Sequence, residues 1–204
     1  MAKILTLEQI KEGAYLLKNG QIVGFPTETV YGLGAIYDRE SAFRSLMEVK
    51  ERPEHKPFTL MCSDVSMMEQ FAHFDERMKR VIAEFMPGPI TILVPYHASL
   101  PSWVTLHSPY VGLRISESQW LQDLIREVGK PLLVPSANRS GKPPLSRFQE
   151  VKKEFEHDVA ALYQEDAGGQ LPSTIVQMDE ENIVCIRKGA IPFEKIEECW
   201  RNEK

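Results

Sequence analysis

The chain has 204 residues, 43% of them hydrophobic, and a formal net charge of −5 from 24 Lys+Arg against 29 Asp+Glu. A chain of this length fits one globular domain and buries roughly 70% of its unfolded surface, so no disulfide or metal staple is required. The acidic balance disfavours broad nonspecific nucleic-acid binding, which depends on many phosphate-neutralising cations, while a local basic groove for weak tRNA or RNA contact is compatible with that total.

The opening Met1-Ala2-Lys3-Ile4-Leu5 lacks the long apolar core and cleavage site of a secretion signal. Thr6 followed by Gln9 reads as a capping box, and Leu7, Ile10, Ala14 and Leu17 make an apolar stripe that stops at Asn19-Gly20. Ile22-Val23-Gly24-Phe25 is then a short buried strand. Asp38 is expected to cap a second helix with Ala42, Phe43, Leu46 and Met47 inward. Pro53 should end it, because the residue before a proline is pushed out of the helical region. Further strands are expected at 58–62, 90–94, 111–115, 132–134, 174–177 and 183–187. Helices are expected at 64–71, 75–85, 117–128 (Ser116 as cap, Gly129 as stop), 147–155 (Ser146 and Gln149 as a capping box) and near the C-terminus. Interleaved strands and helices predict an α/β (α+β) fold, one domain over residues 1–204. Val111-Gly112-Leu113-Arg114-Ile115 alternates, which predicts a mixed or antiparallel sheet with one wet face. No ~18-residue apolar run occurs, so no membrane span is expected. Cys62, Cys185 and Cys199 form no CxxC pair, the usage of reduced thiols in the cytoplasm.

Several familiar motifs fail. Gly32-Leu33-Gly34 after a strand suggests a dinucleotide loop, but that pattern needs glycine where Tyr37 stands. Ser140-Gly141-Lys142 resembles the end of a phosphate-binding P-loop, yet its first glycine would fall on Ser136 and Pro143 follows the lysine. The five histidines, His55, His73, His97, His107 and His157, are scattered without ligand spacing, so no bound metal centre is expected. No G-x-S-x-G elbow occurs, and no cysteine sits in an activating context.

Other segments carry chemistry. In residues 25–35, Thr27, Glu28, Thr29 and Tyr31 crowd together before Gly32 and Gly34, glycines that permit positive φ and close backbone approach to a ligand. Any one of these residues is equally well a turn residue. Lys50 and Arg52 stand at a helix end, where a bend brings both cations to one place suited to a polyphosphate. Taken alone, a solvated helix end favoured by the helix dipole is the stronger reading of that pair. Lys56 would add a third cation. Pro135-Ser136-Ala137-Asn138-Arg139-Ser140-Gly141 follows an apolar strand, where open sheets bind ligands beyond strand ends. Arg114 is equally a carboxylate clamp or a structural ion pair. Pro87-Gly88-Pro89-Ile90-Thr91 is a stiff turn into a strand.

Taken in order, P-T-E-T-V-Y-G-L-G-A, K-x-R-P, P-G-P-x-T, P-S-A-N-x-S-G and an S-T-I-V strand resemble the YrdC family of L-threonylcarbamoyladenylate synthases, over roughly residues 7–190. The resemblance implies a single YrdC-like domain with a twisted, open mixed sheet flanked by helices and a ligand cleft. It implies that the carbamate of L-threonine, formed with bicarbonate or CO2, attacks the α-phosphorus of ATP and expels pyrophosphate. Lys50 and Arg52 would then hold the ATP phosphates and serve catalysis. Thr91, Ser136, Asn138 and Arg187 would also contact the nucleotide. Thr27 and Ser173 would contact threonine, and Arg114 would clamp its carboxylate. Mg2+ would arrive with the ATP, held by phosphate oxygens and water. The chain resembles the family's short form, whose product passes to a separate tRNA threonylcarbamoyltransferase complex.

Departures are confined to two places. Lys56-Pro57 stands for the family's Asn-Pro, and Met61 stands where a histidine is usual; the family's R-P-G reads Arg187-Lys188-Gly189. The run 58–62 is closer to a YciO-type branch, although that branch tends to lose the S-A-N block kept here. A YciO-type paralogue is therefore one alternative. An RNA-binding or ribosome-maturation module using the same cleft is another, and the acidic balance counts against it. Carbamoyl transfer like that of hydrogenase maturation would require acylphosphatase and zinc-finger segments, which are absent from these residues.

Overall fold

A computed structural model describes residues 1–51, 57–97, 100–169 and 171–202. Among them the strands are β1 (Lys3–Leu5), β2 (Val23–Phe25), β3 (Gly32–Ile36), β4 (Thr59–Cys62), β5 (Ile90–Pro95), β6 (Tyr110–Ile115), β7 (Leu132–Leu133), β8 (Ala161–Tyr163), β9 (Thr174–Met178) and β10 (Ile183–Arg187). They form one sheet in the order β1-β8-β2-β3-β7-β4-β6-β5-β9-β10. The pairs β1/β8, β8/β2, β4/β6 and β5/β9 are parallel and the rest antiparallel, so the sheet is mixed as expected. The helices are α1 (Ile10–Lys18), α2 (Glu40–Lys50), α3 (Val65–Glu69), α4 (Glu76–Phe85), α5 (Ser102–Thr105), α6 (Gln119–Val128), α7 (Phe148–Phe155) and α8 (Phe193–Arg201). None is long and apolar enough to cross a membrane.

Helix starts with a local oxygen follow the sequence. Asp64 accepts from Met67 N at 2.9 Å and Asp75 from Met78 N at 2.8 Å, each satisfying one of the otherwise unpaired first-turn amides. Gly129 stops α6 in the left-handed region at φ 78°, the glycine stop expected. Gln9 accepts from Thr6 N at 2.9 Å, which is one half of a capping box.

Other caps differ from expectation because a distant partner wins the side chain. Asp38 pairs with Lys130, and Arg39 precedes α2 without a side-chain cap. Lys50 is the last residue of α2 and Glu51 turns left-handed at φ 50°, so the helix stops before Pro53, which lies outside the described residues. Ser118, not Ser116, accepts from Leu121 N at the start of α6. Arg147 precedes α7, whose Phe148 N–H is satisfied by Asp166 Oδ1 at 2.7 Å in place of Ser146.

The wet face predicted for 111–115 is absent: Val111 through Ile115 are all buried, because β6 lies inside the sheet and is covered on both faces. Arg114 on this strand is only 7% exposed. Gly32 and Gly34 also differ from expectation. They lie within β3 and not among the positive-φ glycines, which are Gly20, Gly129 and Gly141. Gly34 answers a packing need instead: a Cβ there would sit 2.4 Å from Phe25 Cε1 across the β2/β3 pair. Gly34→Ala is therefore expected to destabilise the fold by about 1–3 kcal/mol through overpacking. Thermal denaturation checks this, and an unchanged transition would mean that Phe25 swings aside freely.

Candidate active site

The loop between β2 and β3 is closed by its own hydroxyls. Thr27 Oγ1 donates to Val30 O at 2.7 Å, accepts from Thr29 N at 3.1 Å and lies 2.9 Å from Thr29 Oγ1. Gly168 N donates to Thr27 O at 2.8 Å from the far side. Gly169 is pressed so close that a Cβ would stand 2.8 Å from Glu28 O. Thr27 thus spends its hydroxyl on the loop, and Glu28 and Thr29 are turned toward β6.

There Arg114 meets them. Its Nη2 donates to Glu28 Oε1 at 2.6 Å and to Thr29 Oγ1 at 3.0 Å, while Ser116 Oγ donates to Glu28 Oε2. The Arg114 and Glu28 side chains are 8% and 13% exposed, so this ion pair is largely desolvated. Burial alone would raise the Glu28 carboxyl, but the Arg114 charge and the Ser116 and Arg114 hydrogen bonds together hold it below its ordinary value of 4.5. Arg114 Nε is buried and meets no acceptor among the described residues.

A second wall comes from β5 and the segment before β9. Thr91 Oγ1 and Ser173 Oγ lie 2.9 Å apart. Arg187, at the end of β10, donates through Nη2 to Ser173 O at 2.7 Å and to Ser173 Oγ at 3.1 Å. Gly189 lets this turn lie flat, since a Cβ there would be 2.4 Å from Pro172 O.

The third wall is the loop after β7. Its backbone is pinned on several sides: Leu33 N donates to Pro135 O at 3.0 Å, Ala137 N to Tyr31 O at 2.6 Å, and Ser140 N to Lys50 O at 2.8 Å. Lys50, only 1% exposed, sends its ammonium into this loop, where it donates to Ser136 O, Asn138 O and, at 2.9 Å, Asn138 Oδ1. Ser136 Oγ donates to the same Asn138 Oδ1 at 2.6 Å.

The three walls enclose a cavity of about 400 Å³, lined by Thr29, Thr91, Arg114, Ser136, Ser173 and Arg187 together with apolar residues such as Phe58, Met61 and Tyr110. Arg187 pairs with no carboxylate among the described residues. Its guanidinium value is lowered by desolvation first and by the Arg114 charge second, and it remains a cation at neutral pH. Glu28 compensates Arg114, so among the described residues Arg187 is the cavity guanidinium without an opposite charge. Anions are the ligands that this charge and the surrounding hydroxyls select.

Of the residues singled out in the sequence, Thr91, Arg114, Ser136, Ser173 and Arg187 share this cavity. Thr27 stands behind Thr29, and Lys50 and Asn138 lie together beneath Ser136. Arg52 and Lys56 lie outside the described residues. Lys50 does not wait at a solvated helix end; it anchors the 136–138 backbone. Sequence reasoning gave no role to Glu28 and used Ser116 only as a cap. The available signal was spacing: Arg114 on β6 and Ser116, the first residue after it, sit two apart, and both reach the Glu28 carboxylate.

The Sua5/YciO/YrdC family model, described as "Telomere recombination", matches residues 15–189. The chain belongs to this family. Threonylcarbamoyl-AMP synthase of Bacillus subtilis (strain 168) is 33% identical over 192 residues, covering 93% of this chain and 56% of that protein. The structure of Pyrococcus abyssi Sua5 complexed with L-threonine superposes with a TM-score of 0.89 at 29% identity, over 98% of this chain and 60% of that one. The chain thus spans a little over half the length of these two family members. E. coli YciO superposes with a TM-score of 0.88 over 96% of this chain and all of that one; at 21% identity it shows the shared fold alone.

Proposed function

We propose that the chain is a threonylcarbamoyl-AMP synthase. It joins L-threonine, bicarbonate and Mg-ATP into threonylcarbamoyl-AMP with release of pyrophosphate, as an adenylyl-transferring enzyme. The observation that carries this reading is the pair Arg114 and Arg187, two guanidinium groups turned to one hydroxyl-lined cavity. Both substrates are anionic where they must be held. The threonine carboxylate suits Arg114, whose Nε–H meets no acceptor among the described residues. Thr27, through Thr29, and Ser173 then frame the amino acid. Arg187, Thr91, Ser136 and Asn138 frame the nucleotide, with Arg52 on its phosphates and Lys50 holding the 136–138 loop beside them.

No side-chain nucleophile is called for, because the carbamate oxygen of the substrate attacks the α-phosphorus. Cys62, on β4, is fully buried, and burial pushes its thiol far above the ordinary value. Rate enhancement comes from holding two reactants in line and from fixed positive charge where the pyrophosphate departs. Magnesium enters with ATP as part of the substrate. Phosphate oxygens and water supply its ligands. The product passes to a separate tRNA threonylcarbamoyltransferase in the cytoplasm.

Pyrophosphate release from ATP, measured with threonine and bicarbonate each omitted in turn, tests the reaction. Release is expected only with the complete mixture. Release that persists without either one would sink the proposal.

A further inference from the structure

Glu28 has no part in the scheme above, yet it is bound directly to Arg114 on the threonine side of the cavity. It lies behind Arg114 and outside the cavity lining. Both of its carboxylate oxygens are taken: Oε1 by Arg114 Nη2 at 2.6 Å and Oε2 by Ser116 Oγ. Its backbone is gripped as well, since Gly168 and Gly169 press on it with no room for a Cβ at position 169.

An arginine carries five N–H donors in one rigid plane, so fixing one edge of the fork fixes the direction of every other donor. Here Nη2 is fixed twice, by Glu28 and by Thr29 Oγ1 at 3.0 Å. Of the three donors that remain, the two on Nη1 and the one on Nε, the Nε–H is buried and meets no acceptor among the described residues. A buried donor left unpaired costs free energy, and a ligand carboxylate arriving in the cavity removes that cost. The strand supplies the rest of the clamp. Arg114, on β6, and Ser116, the first residue after it, hold the same carboxylate at two points.

We infer that Glu28, itself held by Ser116, is the positioning residue that aims the Arg114 guanidinium at the substrate carboxylate. This rests on the threonine-binding reading of the cavity given above. Glu28 touches no substrate and acts only through Arg114. Were it a stabilising ion pair and nothing more, its loss would affect both substrates alike.

The test uses the full chain. Glu28→Gln keeps the side chain's shape and an acceptor for Ser116 but removes the charge. It is expected to raise the KM for threonine by about tenfold or more while the KM for ATP stays within about twofold. Ser116→Ala, the milder change, is expected to raise the threonine KM by about threefold and keeps the test open if Glu28→Gln folds poorly. The Arg114 Nε–H resonance, assigned by its disappearance in Arg114→Lys, provides a readout without substrate. It should stand apart from the exposed arginines in the unsubstituted protein and move toward them in Glu28→Gln. Threonine and ATP KM values that rise together, or a resonance that does not move, would overturn the inference. If the unsubstituted protein binds no threonine, the functional reading falls, and the resonance alone decides whether Glu28 orients Arg114.

Discussion

Arg114→Ala is expected to abolish threonine-dependent pyrophosphate release and, separately, to cost about 3–5 kcal/mol of folding stability. The stability loss follows from what remains behind. Glu28, 13% exposed, would keep its place between Ser116 and the 168–169 segment with no cation opposite it. The pH dependence carries a definite sign. In the unsubstituted protein the Glu28 carboxyl sits below 4.5, so its contribution is fully present above that pH and is lost as pH falls through the folded value. Without Arg114, burial acts almost unopposed and raises that value above the unfolded one. The contribution is then largest at acid pH and is lost as pH rises. The gap in stability between the two proteins should therefore be smaller at about pH 4 than at about pH 7, as read by urea denaturation. A double variant, Arg114→Ala with Glu28→Ala, should recover part of the loss. If it is no more stable than Arg114→Ala alone, the buried charge is not the cause.

Lys50→Met should lower turnover by about a hundredfold or more and also lower the thermal transition. Loss of both together is informative, because a phosphate clamp at a solvated helix end would affect turnover alone. The buried ammonium donates to Ser136 O, Asn138 O and Asn138 Oδ1, and methionine keeps the length of the stem without the donors. Each backbone carbonyl left unsatisfied costs about 1–3 kcal/mol. For a chain of this size each kcal/mol lowers the transition by roughly 2–4 °C. The loop that would drift carries Ser136 into the cavity, so positioning and stability fail through the same contacts. Near-normal turnover in Lys50→Met would remove its part in the reaction, and an unchanged transition would remove the loop anchor.

Much of the fold was legible in the amino-acid order. Strand 183–187 agrees with β10 residue for residue, and 90–94, 111–115 and 174–177 each fall one residue short of β5, β6 and β9 at one end. Gly129 stops α6 where it was expected to, because a glycine stop is settled by atoms a few residues away. Of the short strands, β2 and β7 were legible as apolar runs but β1 and β8 were not. Lys3–Leu5 and Ala161–Tyr163 are three residues each, too brief for a periodic signal, and pair in parallel across the chain. The polar run at 26–31 was legible as a ligand loop, but not the work of each member. Thr27 closes the turn, Glu28 holds an arginine, and Gly32 and Gly34 belong to a strand.

The amino-acid order by itself determined the mixed α/β class, the family and the set of polar residues from which the cavity is drawn. The class follows from hydrophobic period and local caps, and the family and the polar set from the resemblance of the five motifs in order, all carried by neighbours in the chain. Tertiary structure alone decided how the residues divide their labour. Arg114 reaches Glu28 across 86 positions, Ser116 reaches the same carboxylate across 88, and Lys50 reaches Ser136 across 86. A serine that could cap a helix, or a lysine that could meet a phosphate, goes instead to the buried oxygen that packing brings within reach. A polar group removed from water must find a partner in the protein, and only the folded chain says which one is there.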